Sequence, residues 1–156
     1  MAIQLKWTMV FVALWVIGCA HGPRSFVPIG GAPSDAPSQV AQIVEDEDYP
    51  ALLRGLDGEM LHSMRVPSDI WKYAYLLQPG PHLLWVMNMP YGHPLIPQRI
   101  RCYVIRAELE PGVCYRLVED PRAQRALLLK EGTQETVASG PMVDHPWVFL
   151  RGCRWQ

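Results

Sequence analysis

The chain has 156 residues, 14 Lys and Arg against 15 Asp and Glu, a formal charge of −1, and 49% hydrophobic residues. That length suits one domain plus accessory segments. The sparse, mixed charge carries no basic footprint for nucleic acid, and no partner of that kind is implied.

Reading from the N-terminus, Lys6 is the only side-chain charge before Cys19. Trp7 to Ile17 is almost wholly apolar. It is shorter than the roughly 20 residues a membrane span needs, and it has the length of a signal-peptide core. Val16-Ile17-Gly18-Cys19 closes it. No second apolar run long enough to span a membrane follows.

This arrangement resembles the precursors of bacterial lipoproteins. Their lipobox is an aliphatic residue, a small or aliphatic one, Gly or Ala, then Cys. The resemblance implies cleavage after Gly18, a diacylglycerol on the Cys19 sulfur and usually an acylated amine. Residues 1–18 are then a signal peptide, and the protein meets the membrane through lipid at Cys19. Val16 stands where Leu is commoner, and Ile17 is bulkier than usual. Ala20 after the cysteine, rather than Asp, points by the same resemblance to the outer membrane, with the domain facing the periplasm.

Removal of residues 1–18 leaves 138 residues with a formal charge of −2. Residues 19–48 read as an acylated, flexible tether. Pro, Gly, Ser and Ala dominate from Ala20 to Ser38, without apolar periodicity, so little surface is available to offset the ordering entropy. Such a coil spans roughly 30 Å. Gln39 to Val44 suits a short helical turn or strand. Glu45-Asp46-Glu47-Asp48 reads as a solvated hinge, because four successive acids lack the alternating ligand positions of a calcium loop.

Residues 49–156 alternate short apolar runs with turn signals. Ala51 to Leu56 is a strand closed by Asp57-Gly58. Leu61 to Val66 is a short strand or connection. Ile70 to Leu77 reads as a strand with Trp71, Tyr73, Tyr75 and Leu77 on one face. Gln78-Pro79-Gly80-Pro81 turns it into a hairpin partner, His82 to Met87. Asn88 to Pro97 is a proline-stiffened loop, and Met89, Tyr91 and His93 make it the candidate contact surface. Gln98 to Leu109 is a long strand, and Val113 to Val118 returns after Glu110-Pro111-Gly112. Asp120-Pro121 suits the start of a short helix. Glu131-Gly132-Thr133 joins two more strands, and Trp147 to Leu150 is the last. The expected fold class is all-β, an antiparallel β-sandwich.

Leu109-Glu110-Pro111-Gly112-Val113-Cys114-Tyr115-Arg116-Leu117 resembles the tyrosine corner of fibronectin-III-like and other Ig-like sandwiches. There a Tyr near the start of a strand bonds its hydroxyl back to the corner backbone. Leu109, Tyr115 and Leu117 then point inward, and Cys102 and Cys114 outward. Leu77 to Val86 resembles the Pro-Gly-x-His-x-Leu-x-Val hairpin of PEGA-type domains in bacterial envelope proteins. Both resemblances speak to fold more than to function.

With Cys19 lipidated, Cys102, Cys114 and Cys153 remain in an oxidising compartment. One disulfide, of unassigned pairing, and one free thiol is the simplest arithmetic. His62, His82, His93 and His145 share no metal spacing, so neither a metal nor a cofactor is implied. Ser63, Ser68 and Ser139 lack a nucleophile elbow. Asp57 with Glu59 and Asp144 with His145 are the acid/base pairs open to consideration. Trp71, Tyr73, Tyr75 and Trp85 suit either a core or a ligand platform. No residue is assigned a catalytic role. The reading is a non-enzymatic, lipid-anchored envelope protein with a binding or accessory module, for which another envelope protein is a candidate partner. An assembly factor using a sheet edge, an envelope hydrolase with a non-contiguous site and an inhibitor of lytic enzymes are the rivals.

Overall fold

The computed structural model describes residues 25–46, 51–61, 73–88, 98–147 and 152–155. In chain order the strands are β1 (Ser25–Pro28), β2 (Ala41–Glu45), β3 (Ala51–Leu56), β4 (Glu59–Met60) and β5 (Tyr73–Leu77). They continue with β6 (Gly80–Asn88), β7 (Cys102–Leu109), β8 (Cys114–Asp120), β9 (Arg125–Lys130) and β10 (Glu135–Asp144). One 3-10 turn, Pro37–Gln39, precedes β2. The all-β expectation holds.

The strands form one curled, open sheet in the order β1-β5-β2-β8-β9-β10-β7-β6-β3-β4. β10 makes it continuous. Its residues from Glu135 to Pro141 pair with β9, and Met142 and Asp144 pair with β7, with register irregularities along the way. Curling brings β3 against β8 and β7 against β9 across the interior. There Ile43, Leu53, Tyr75, Tyr103, Tyr115 and Leu128 belong to one buried cluster. Gly140 sits where β10 presses on β7, and a Cβ there would meet the Val104 carbonyl oxygen at 1.9 Å. Only glycine allows that approach.

β8 shows why the pattern folds this way. Its side chains alternate between buried and half-buried, with Tyr115 and Leu117 inside. The period of two puts every second residue on the core face. The Tyr115 hydroxyl accepts the Glu110 N–H at 2.8 Å, so the expected corner bond is present. Leu109 and Leu117 are buried with it.

The flexible tether is corrected over residues 25–45. β2 lies inside the sheet, antiparallel to β5 and parallel to β8. Val40, Ala41, Ile43 and Val44 are buried. Gln42 N–H donates to the Val113 carbonyl, and Gly112 N–H to that of Val40, both at 2.9 Å. Beyond β2, Ala32 and Val40 pack on Leu76 and cover the outer face of β5. A short apolar strand with partners on both edges outweighs the loop-forming composition around it. The solvated acidic hinge is corrected too. Glu45 is buried, and Asp46 pairs with Arg116 at 3.1 Å.

Pairing differs from expectation elsewhere. β5 and β6 are not a hairpin, since β5 pairs with β1 and β2, and β6 with β3 and β7. β7 and β8 are likewise joined by a corner and lie in different parts of the sheet. Two pairs, β1 with β5 and β2 with β8, are parallel, so the sheet is mixed. β9 and β10 form the expected hairpin, and β3 and β4 turn through Asp57-Gly58. After Asp120 the chain makes a turn rather than a helix, with Asp120 Oδ1 accepting the Arg122 and Ala123 N–H groups at 3.0 Å. Of the expected last strand only Trp147 is described, in an isolated bridge to Arg99.

Candidate functional site

On β6, Leu84 and Val86 point into the core, so Trp85 and Met87 point to the opposite face of the sheet. That outer face is not bare. The segment 152–155 lies across it, held at several points. Cys153 is disulfide-bonded to Cys102, with Cα atoms 5.7 Å apart. The Trp155 ring stacks on Trp85 at 5.3 Å between centroids and 3° between planes. Trp155 Nε1 donates to the Val86 carbonyl at 3.3 Å, and Arg154 N–H to Asp144 Oδ2 at 2.9 Å.

These contacts border an open cavity of about 910 Å³. Its apolar wall is Met60, Leu61, Trp85, Met87, Ile100 and Trp155. Arg54 and Arg154 are its two charged side chains. Arg54 arrives there through a β-bulge. Leu53 is opposite Val86 and Gly55 is opposite Trp85, which leaves Arg54 as the extra residue on β3. A bulge of this kind re-aims a side chain and is common beside functional sites. Gly55 makes the room required, because a Cβ there would come within 2.5 Å of the Trp85 ring.

Behind Arg54 lies Glu45, whose Oε1 accepts the Leu53 N–H at 2.9 Å. Burial pushes the Glu45 carboxyl up to about 7, while the Leu53 bond and the Arg54 charge pull it down. Burial lowers the Arg54 guanidinium from its ordinary value, against the attraction of Glu45. Burial also raises Tyr75 above the usual phenol range, and Glu45 adds to this.

Two other polar groupings are structural. Glu119 accepts from Arg101 Nε and the Tyr103 hydroxyl, each at 2.5 Å, and from Arg101 Nη2 at 3.0 Å. Both of its oxygens are engaged. His82 Nδ1 is 2.7 Å from Asp57 Oδ2, beside a shallower cleft of about 520 Å³. Its Nε2 is held 2.8 Å from the Gln78 carbonyl. With both ring nitrogens in hydrogen bonds, neither is presented to a substrate in this arrangement. Asp57 Oδ1 also accepts the Leu83 N–H at 2.7 Å, so the pair fixes the start of β6.

The sequence-derived candidates are therefore distributed unevenly. Cys102 and Cys153 come together. Cys102 is out of phase with the core, as expected, yet it is buried because the C-terminal segment covers it. Cys114 is also disulfide-bonded and no cysteine among the described residues is free, which overturns the arithmetic of one free thiol. Asp57 partners His82 rather than Glu59. Asp144 accepts the backbone N–H groups of His145 and Arg154, and the nearby Arg99 and Arg101 charges add to burial in lowering His145. Tyr75 is core and Trp85 lies on the outer face, so the aromatic set does not form one platform. Cys19, Trp71, His62, Ser63, Ser68 and the contact loop with Met89, Tyr91 and His93 lie outside the described residues. Among the described residues no cluster of three metal-ligating side chains occurs. None of their helices is long and apolar enough to cross a membrane.

Arg54, Arg154 and Trp155 were not singled out in the sequence. The available signal was Cys153-Arg154-Trp155, a cysteine two residues from an aromatic in the last four positions. Comparison with family models, curated proteins and solved structures finds no match.

Proposed function

We propose that the chain is an exported, Cys19-lipidated cell-envelope protein whose β domain is a non-enzymatic binding module. One observation carries the binding part: the cavity under the C-terminal segment, with a bulge-positioned arginine and a stacked tryptophan pair. Apolar walls with a few placed polar groups are the usual make-up of a ligand site. Export is supported by the N-terminal pattern and by a disulfide, which persists in oxidising compartments. The tyrosine corner supports kinship of the curled sheet with Ig-like domains. Ala20 supports the outer membrane and a periplasmic face.

The anchor would be short. Only five residues lie between Cys19 and Ser25 at the start of β1. Fully extended, the six steps from Cys19 to Ser25 reach about 20 Å. The domain would rest close to the bilayer instead of standing well off it.

Cys19 and Cys114 are the two cysteines outside the Cys102–Cys153 pair. A Cys19 sulfur in a lipid thioether is closed to disulfide formation, so the two chemistries compete for one atom. Intact mass of membrane-extracted protein decides between them. The expected result is loss of residues 1–18 with acyl mass on Cys19, and release of a Cys19→Ala variant from the membrane fraction. An unacylated mass, or a variant that stays equally membrane-bound, would refute the anchor.

A further inference from the structure

We propose that the cavity beneath the C-terminal segment binds an amphiphile with an acyl chain and a single anionic head. The inference rests on reading the domain as a binding module, and it is independent of the lipid anchor.

Charge is the first argument. The cavity lining has two guanidinium groups, from Arg54 and Arg154, and no carboxylate. Glu45 behind Arg54 and Asp144 beside the Arg154 backbone are not part of that lining, so the surface offered to a ligand is cationic. Hydrogen-bonding sense is the second. Trp85 Nε1 is buried without a hydrogen-bond partner among the described residues, and Trp155 Nε1 is already used by Val86. Apart from the weakly accepting Met thioethers, the polar side-chain groups of the lining are donors. The complementary ligand group is an acceptor that carries negative charge, as a carboxylate or phosphate does.

The third argument is shape. Met60, Met87, Leu61 and Ile100 make a wall of flexible, aliphatic side chains. Thioether and branched aliphatic chains adapt to an alkyl chain of variable course. The volume of about 910 Å³ lies at the upper end for small-molecule sites. Arg54 comes from β3 and Arg154, which is exposed, from the C-terminal segment, so two separate elements supply the positive charge. The bulge at Arg54 and the glycine that accommodates Trp85 are local departures from a regular ladder, and both serve this cavity.

The test uses the full chain and displacement of a dansyl-labelled fatty acid. Dodecanoate and lysophosphatidylglycerol separate a free fatty acid from a lipid head group, and either one displacing the probe supports the proposal. Dodecanol and dodecyltrimethylammonium share the chain but lack the anion, and they should compete at least about tenfold less well, the free-energy equivalent of one good contact. Arg154→Glu alters an exposed side chain, so folding should survive. It should weaken dodecanoate by about tenfold or more, and Arg154→Lys should retain most of the affinity. No saturable binding, or equal competition by the cationic amphiphile, would overturn the proposal. Recovery of lysophosphatidylglycerol in hydrolysed form would instead overturn the non-enzymatic reading while leaving the ligand class standing.

Discussion

The hydroxyl of Tyr115 accepts a hydrogen bond from the backbone N–H of Glu110, five residues earlier and across the corner between β7 and β8. Tyr115 is almost completely buried, so the bond sits at the edge of the core and closes the chain reversal. Tyr115→Phe keeps the ring and removes the acceptor. A part-buried donor left without its partner costs about 1–3 kcal/mol. The urea midpoint should fall accordingly with an unchanged slope. An unaltered midpoint would deny the corner any energetic role.

The Cys102–Cys153 disulfide spans 51 residues. Cross-linking a loop of that size removes unfolded-state entropy worth up to about 4 kcal/mol. Peptide mapping without reduction should recover the two cysteines in one linked fragment. The double variant Cys102→Ser with Cys153→Ser should be less stable by about 2–4 kcal/mol. Its Trp85–Trp155 stack should loosen as well, visible as a change in near-ultraviolet circular dichroism.

Glu45 should make stability depend on pH. Its carboxyl is raised from 4.5 to about 7 in the folded chain. The folded state therefore holds the proton more tightly than the unfolded state. Stability from this group is fully present below pH 4.5 and is lost as pH rises through about 7. The loss is on the order of 3 kcal/mol, one unit being about 1.4. Glu45→Gln keeps an oxygen for the Leu53 N–H and abolishes the titration. The difference in stability between the two proteins, followed from pH 4.5 to 8, should shift toward the variant. A flat difference would show that Glu45 remains ionised throughout.

Gly140→Ala should be among the most damaging single changes. A Cβ at that position overlaps the Val104 backbone, and backbone cannot swing aside as a side-chain tip can. We expect a loss of more than about 3 kcal/mol or failure to fold, read by expression and thermal unfolding. By contrast, Gly132→Ala has open space around it and pays only for its backbone angle, about 1 kcal/mol.

Local chemistry was legible in the sequence. Alternation in Val113 to Val118 gave β8, and the turn residues marked the β9–β10 hairpin and the corner. The three candidate disulfide cysteines included the pair Cys102 and Cys153, but spacing carries no information on which sulfurs meet. β2 was only half legible, since a strand was one of two readings of Gln39 to Val44. Ala41-Gln42-Ile43-Val44 is covered on both faces, so it does not alternate, and its parallel partner β8 lies some 70 residues away. Composition rules average over a window, so they do not decide between turn and strand for so short a run set among prolines and glycines. The cavity was hidden more deeply still. It depends on a one-residue bulge at Arg54 and on the last residues folding back over β6, and both are properties of tertiary register.

β10 has a further consequence. Because it hydrogen-bonds to β9 with one part and to β7 with another, neither half of the sheet can come apart without exposing the other half's backbone. Its central amides should exchange with solvent only through global opening, and the calorimetric and van't Hoff enthalpies of unfolding should coincide. A ligand held against β6 and β7 would then slow exchange as far away as β9, since both sides of the sheet answer to one opening event.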